Sequence, residues 1–196
     1  MQAEVFMTYC SGPKLKDTQR QILYGTILGG SSIIKPEKGK NAYLAMRDND
    51  VLWLSYKIEI LKDFFKIDDN TIRKDKNTFR CFSMSYPIFN DIYEIFYPEY
   101  IKQVTRELLE VLTDDAWMAW FVDAGKKTKT KVVLRTHKFG EEGTKLIADY
   151  FNSLECECEA LQPKKHWEIC FTNKGAYEFL SVVYPKIPDF LLKNYE

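Results

Sequence analysis

The sequence predicts an α+β chain made of two similar halves, and three observations carry that prediction. Stretches with apolar residues at spacings of three and four are interleaved with short stretches in which apolar and polar residues alternate, the periods of helix and strand. The order helix, hairpin, helix, hairpin, helix is complete before residue 98 and then recurs. The recurrence falls near half the chain, which marks a pseudo-twofold protein, because a solenoid needs at least three shorter repeats. We therefore divide the chain into repeats 1–98 and 99–196. Its 196 residues, 45% hydrophobic and 15% aromatic, suffice for two small halves sharing one core.

The first helix is predicted over Thr18–Gly29, where Ile22, Gly25, Leu28 and Gly29 recur on one face, with Asp17 or Thr18 as N-cap and Gly29-Gly30 as its end. An extended stretch, Ser32–Lys35, a Pro-Glu-Lys-Gly turn and the strand Ala42–Arg47 follow as a hairpin. Asp50 opens a second helix, Val51–Phe65, striped by Leu54, Ile58, Leu61 and Phe65. Strands near Asn70–Lys74 and Thr78–Ser85 make a basic second hairpin, and Pro87 starts the helix Ile88–Phe96, where its missing N–H is harmless. In the second half the order is helix Asp114–Ala124, capped by Thr113 or Asp114, strand Lys131–Thr136, helix Glu141–Leu154, strands Cys156–Leu161 and His166–Thr172, and helix Lys174–Val183. A short helix, Asp189–Tyr195, follows Pro188.

Composition closes some functional classes. Lys plus Arg and Asp plus Glu both total 28, so net charge points to no nucleic acid and the distribution of charge has to decide. Lys35–Lys40, Arg73–Lys76 and Lys126–Lys131 are locally basic, while acids collect in Glu94–Glu99, Glu107–Glu110 and Asp114–Asp115. The five cysteines (Cys10, Cys81, Cys156, Cys158, Cys170) include no C-x-x-C pair, so neither a disulfide framework nor a zinc site is expected. No run approaches the ~20 apolar residues that cross a bilayer, and the first residues lack the charged-then-apolar order of a secretory signal. The expectation is a soluble intracellular protein with no membrane partner. Its compartment stays open between a mitochondrion or other organelle and a bacterial or phage-infected cytoplasm.

The two helices that open the halves carry the functional signal. Gly25 and Gly29 in one and Ala119 in the other allow two helix backbones to approach closely, and carboxylates at the paired ends would meet beside one another. Gln21-Ile-Leu-Tyr-Gly-Thr-Ile-Leu-Gly-Gly-Ser-Ser-Ile33 resembles the first LAGLIDADG helix, with its G-x-L-L-G-D-G core. Leu112-Thr-Asp-Asp-Ala-Trp-Met-Ala-Trp-Phe-Val-Asp-Ala-Gly-Lys126 is similar to the second, L-T-x-x-x-L-A-x-W-F-M-D-D-G. Gly39–Tyr43, the aromatic-rich Trp53–Phe65 and the terminal Pro188–Lys193 extend the likeness over nearly the whole chain. The sequence thus resembles the LAGLIDADG homing endonuclease family, in its monomeric two-motif form typified by the yeast mitochondrial omega-intron enzyme.

That resemblance implies a pseudo-twofold fold of two αββαββα repeats, with curved antiparallel sheets forming a saddle for double-stranded DNA. It also implies a monomer, since one chain supplies both central helices. In the family the last acid of each motif holds the divalent metal, Mg²⁺ as a rule, that activates water and stabilises the leaving oxygen. Those positions are Gly30 and Ala124 here, and neither side chain can hold a cation. Asp123 is one residue short, and on a helix that rotates a side chain by ~100°, so it should not substitute. Lys102 and Lys193 match basic residues that the family places beside its cleavage sites. His166 is expected as a strand-terminal polar residue and not a catalytic base, since the family uses metal-bound water, and His137 is expected at the surface.

Side chains expected to face the major groove are Lys35, Lys38, Lys40, Tyr43, Arg47, Arg73, Lys74, Lys76 and Arg80 in the first half. In the second they are Lys126, Lys127, Lys129, Lys131, Arg135 and, at the strand end, Thr136. The chain as written is expected to bind specific duplex DNA and to be inactive or nearly so as a nuclease. Three origins fit the missing acids: laboratory replacement, a natural remnant kept as a DNA-binding repressor, or an intron maturase whose partner is RNA.

Overall fold

In a computed structural model of the chain, residues 12–37, 40–193 and 195 are described. Lys38 and Gly39 of the first basic turn, and Cys10, lie outside the described residues.

The first half runs α1 (Asp17–Gly29), β1 (Ser32–Ile34), β2 (Tyr43–Asp48), α2 (Val51–Ile60), β3 (Arg73–Asp75), β4 (Thr78–Phe82) and α3 (Pro87–Phe96). After a short α4 (Arg106–Glu110), the second half runs α5 (Asp114–Ala124), β5 (Gly125–Lys127), β6 (Val132–Arg135), α6 (Gly140–Asn152), β7 (Cys158–Leu161), β8 (Glu168–Phe171), α7 (Asn173–Val183) and α8 (Asp189–Leu192). Each half contributes a four-stranded antiparallel sheet, and the two share one topology: β1-β2-β4-β3 and β5-β6-β8-β7. The α+β, pseudo-twofold expectation holds. No helix among the described residues is long and apolar enough to cross a membrane.

Local chemistry accounts for most element ends. The Asp50 carboxylate accepts from the N–H groups of Leu52 and Trp53, so α2 starts there; Pro87 occupies the first turn of α3. Four details differ from the sequence expectation. The N-cap of α1 is Lys16, whose own N–H donates to Gln19 Oε1, so Asp17 and Thr18 lie inside the helix. Helix α2 stops at Ile60 and continues as a 3₁₀ turn, Lys62–Phe64. Helix α4 was hidden in an acidic run; its Thr105 hydroxyl caps Leu108 N–H and its Leu108 and Leu109 are buried. Strand β5 exists because it pairs with β6, leaving α5 with no turn residue between, a case of tertiary pairing overriding local preference.

The core forms around α1 and α5, which lie side by side. A Cβ at Gly25 would fall 2.1 Å from Ala116 O and 2.9 Å from Ala119 Cβ, and one at Gly29 would fall 2.4 Å from Asp123 Cβ. The small residues at these positions are therefore what the helix spacing requires. Gln21 joins the helix starts: its amide donates to Val111 O at 2.9 Å and its carbonyl accepts from Thr113 N–H at 2.9 Å. Trp53, Phe64, Phe89 and Phe96 fill the first half and Trp117, Trp120, Phe151 and Phe179 the second, all buried.

Candidate nucleic-acid interface

The paired ends of α1 and α5 are held by cations. Gly30 caps α1 at φ +155°, ψ −16°, its N–H shared between Thr26 O and Ile27 O. Lys102 Nζ donates to Ile27 O and, at 3.0 Å, to Ser31 O; Lys138 Nζ donates to Gly30 O at 2.6 Å. At the other end Arg135 Nε donates to Ala124 O at 3.1 Å. Helix C-termini carry partial negative charge, so basic groups are favoured there. Burial, with the neighbouring Lys138 ammonium adding to it, pulls Lys102 down to about 7 against the opposing field of Asp123. Burial also lowers Lys138.

A cleft of about 270 Å³ opens beside these ends, lined by Gly29, Gly30, Ser31, Arg47, Asp48, Asn49, Thr78 and Asp123. Its two carboxylates are already engaged. Asp123 Oδ1 accepts from Lys57 Nζ at 2.7 Å and from the Trp53 indole N–H, while Asp48 Oδ2 accepts from the same ammonium at 3.2 Å. The Lys57 side chain is fully buried and lies over the Trp53 ring, which leaves Asp123 turned into the protein. Burial raises its carboxyl above the ordinary range despite the pull of Lys57. A divalent metal does not fit this donor set: one ammonium occupies both carboxylates, and the carbonyls at the end of α1 are occupied by two more. Among the described residues no group of three or more His, Cys, Asp or Glu is placed to hold a metal.

The outward sheet faces differ. In the first sheet, Arg73, Arg80 and Arg47 stand directly opposite one another across β3, β4 and β2. Asp75 bonds to Arg47 and lies 3.7 Å from Arg80. Tyr43 and Phe82 pack edge to face beside this row, ring centres 6.1 Å apart. In the second sheet the matching row reads Arg135, Glu168, Leu161, and the one beside it reads Lys126, Val133, Cys170, Glu159.

The profile of the LAGLIDADG DNA endonuclease family matches residues 20–179. The chain belongs to this family. Among curated proteins no match reaches significance, but solved structures extend the likeness. The homing endonuclease I-WcaI bound to its DNA recognition sequence has a TM-score of 0.84 at 22% identity, over 94% of this chain and 88% of that one. I-DmoI in complex with DNA and Mn gives 0.59 at 12% identity, over 85% and 96%. Full-length DUF199/WhiA from Thermatoga maritima gives 0.57 at 12%, over 93% and 60%. At such identities the likeness establishes the fold, that of the LAGLIDADG homing endonucleases.

Within the LAGLIDADG frame, the residues singled out from sequence fall into three groups. Gly30, Ala124 and Lys102 come together at the helix ends, although Lys102 sits on α1 and not on the motif it precedes. Tyr43, Arg47, Arg73, Arg80, Lys126 and Arg135 share the outward sheet faces. Others lie elsewhere. Lys35 is bound to Glu94 on α3 at 2.6 Å, and Lys127, whose strand partner is the buried Val132, reaches Tyr195 O over the Tyr184 ring. Lys74 is paired with Phe79, on the opposite face from Arg73 and Arg80. Thr136 is buried with its hydroxyl on Thr144 at 2.9 Å, so the polar set of that strand ends at Arg135. Lys40, Lys76, Lys129, Lys131 and Lys193 are exposed, outside the strands. His137 and His166 are adjacent, ring centres 5.4 Å apart.

Sequence reasoning missed Lys138 and Lys57. Lys57 carried a faint signal, a lysine one turn after Trp53 on the helix face that also carries Leu54 and Ile58; Lys138 carried none.

Proposed function

We propose that the chain binds a long site on double-stranded DNA along the outward faces of its two sheets and leaves both strands uncut. Family membership and the DNA-bound relatives support the partner, and the row Arg47, Arg80, Arg73 supports the face. Like charges set directly opposite one another in a sheet are destabilising, and Asp75 offsets only part of that, whereas a phosphate backbone would satisfy all three arginines. The observation that carries the loss of cleavage is the chemistry at the helix ends: Gly30 and Ala124 offer no carboxylate, and Asp123 is committed to Lys57 and Trp53. Each repeat, 1–98 and 99–196, supplies one sheet. A monomer completes the site, because α1 and α5 already pair within one chain.

The test is selection from a random duplex library, followed by cleavage assays of the winning site in Mg²⁺ and Mn²⁺. Specific binding without cutting supports the reading. Cutting by the unaltered chain would overturn the active-site assignment. Indifference to duplex sequence, with tight binding to a structured intron, would move the partner to RNA.

A further inference from the structure

We infer that Glu168 is a specificity-determining residue: its carboxylate accepts from the N4 amino group of one cytosine in the major groove, so the second sheet reads its half of the site by different chemistry from the first. The inference rests on the duplex-DNA reading above and names the base that one side chain takes.

The two sheets set opposite charges at corresponding places. Across from Arg47 on β2 the first sheet has Arg80 on β4; across from Arg135 on β6 the second has Glu168 on β8. The acid on the first face, Asp75, is neutralised by its bond to Arg47 and by Arg80 at 3.7 Å. Glu168 has no such partner. Arg135, directly opposite, is drawn to the end of α5, where its Nε donates to Ala124 O at 3.1 Å, and among the described residues the Glu168 carboxylate forms no ion pair. On its other side stands the exposed Leu161, which offers no donor. Strand β8 is an inner strand, so half-buried Glu168 cannot turn off the face as exposed Glu159 can on the edge strand β7.

A carboxylate so placed restricts its ligand. It repels phosphate, and once a duplex strips away its water it opposes binding unless a donor meets it. The base edges narrow the choice. Guanine shows the acceptors N7 and O6, and thymine the acceptor O4 beside a methyl group, so both set lone pairs against the carboxylate. The N6 amino group of adenine is flanked by the acceptor N7, which would face the second carboxylate oxygen. Cytosine shows an amino group with no acceptor beside it on its own edge, and the apolar Leu161 tolerates the remainder of that edge. By the same logic the arginines of the first sheet, donors only, suit guanine.

The experiment is selection from a random duplex library by the whole chain and by Glu168→Gln. It is followed by fluorescence titration of the selected duplex carrying N4-methylcytosine at the position whose preference the variant loses. The unaltered chain should prefer cytosine there by about tenfold over each other base, the cost of one mismatch. Glu168→Gln should reduce that preference below about threefold, with adenine gaining most, because a glutamine amide matches N6 and N7 of adenine. Preferences elsewhere should stay the same, and affinity for the original duplex should not fall. N4-methylation keeps the base pair and removes the donor from the groove; it should weaken the unaltered chain about tenfold and Glu168→Ala less than about twofold. Unchanged preferences in Glu168→Gln, or an equal response of the unaltered chain and Glu168→Ala to N4-methylcytosine, would overturn the inference while leaving specific duplex binding intact. Failure of the unaltered chain to select any duplex would remove the DNA reading and the inference together.

Discussion

The ends of α1 and α5 are pseudo-equivalent, yet they lack an acid in different ways. At α5 the difference stays in the side chain: Ala124 ends a regular helix and Gly125 continues as ordinary extended backbone, φ −79° and ψ 161°. At α1 it reaches the backbone: Gly30 holds φ +155°, which L-residues rarely adopt, and Lys138 fills the adjacent space. A side-chain replacement leaves the scaffold ready for reversal, whereas a backbone change does not. The α5 end also rests on a buried charge pair, Lys57 with Asp123, where α1 offers only Gly29.

That contrast can be tested most strongly at the charge pair. Lys57→Met strands a buried carboxylate, and urea unfolding should show a loss of about 3–5 kcal/mol; a loss below about 1 kcal/mol would mean that the pair is not what anchors α5. Next in size, Gly30→Ala should cost about 1–3 kcal/mol through backbone strain, while Ala124→Gly should cost about 1 kcal/mol through helix propensity. A neutral or stabilising Gly30→Ala would erase the asymmetry. The sheets differ in the same spirit. Arg80→Gln should weaken duplex binding about tenfold, the low end of one good arginine contact, whereas Glu168→Gln, at the corresponding place in the second sheet, should not weaken it.

The smallest effect concerns pH. Lys102 sits at about 7 in the free chain because burial disfavours its charge, and a nearby phosphate must raise that value, so binding takes up a proton. Affinity should then be greatest below pH 7 and decline as pH rises through 7 to 9, by less than tenfold, with Lys102→Met flattening the profile. A decline that survives in Lys102→Met would shift attention to His137, which burial and the adjacent Lys138 hold below the usual imidazole range.

Much of the fold was legible because its signals are local. Asp50 caps α2 by its own side chain, Pro87 starts α3, and the Gly25, Gly29 and Ala119 spacing announced a close helix pair. What was illegible depends on distance along the chain. Lys138 reaches an atom 108 residues away, and its Thr-His-Lys-Phe surroundings read as ordinary surface. Lys127 and Lys74 looked like groove-facing cations until strand register put them on the other face, since a shift of one residue reverses a side chain's direction. Thr136 followed an alternation that ended one residue earlier, where a 3₁₀ turn begins and buries its hydroxyl. Asp123 was expected off the metal position from helix geometry alone, and the lysine and indole that its carboxylate accepts from were not foreseen.

The interlock between Gly25 and Ala116–Ala119, and between Gly29 and Asp123, also governs partner choice. Two copies of α5 meeting in the same geometry would set one Asp123 carboxylate against another where α1 supplies a glycine, and two copies of α1 would leave the hollows at Gly25 and Gly29 unfilled. Each half is therefore complementary to the other and a poor match for itself. Separated into two polypeptides, the halves would select a heterodimer over either homodimer.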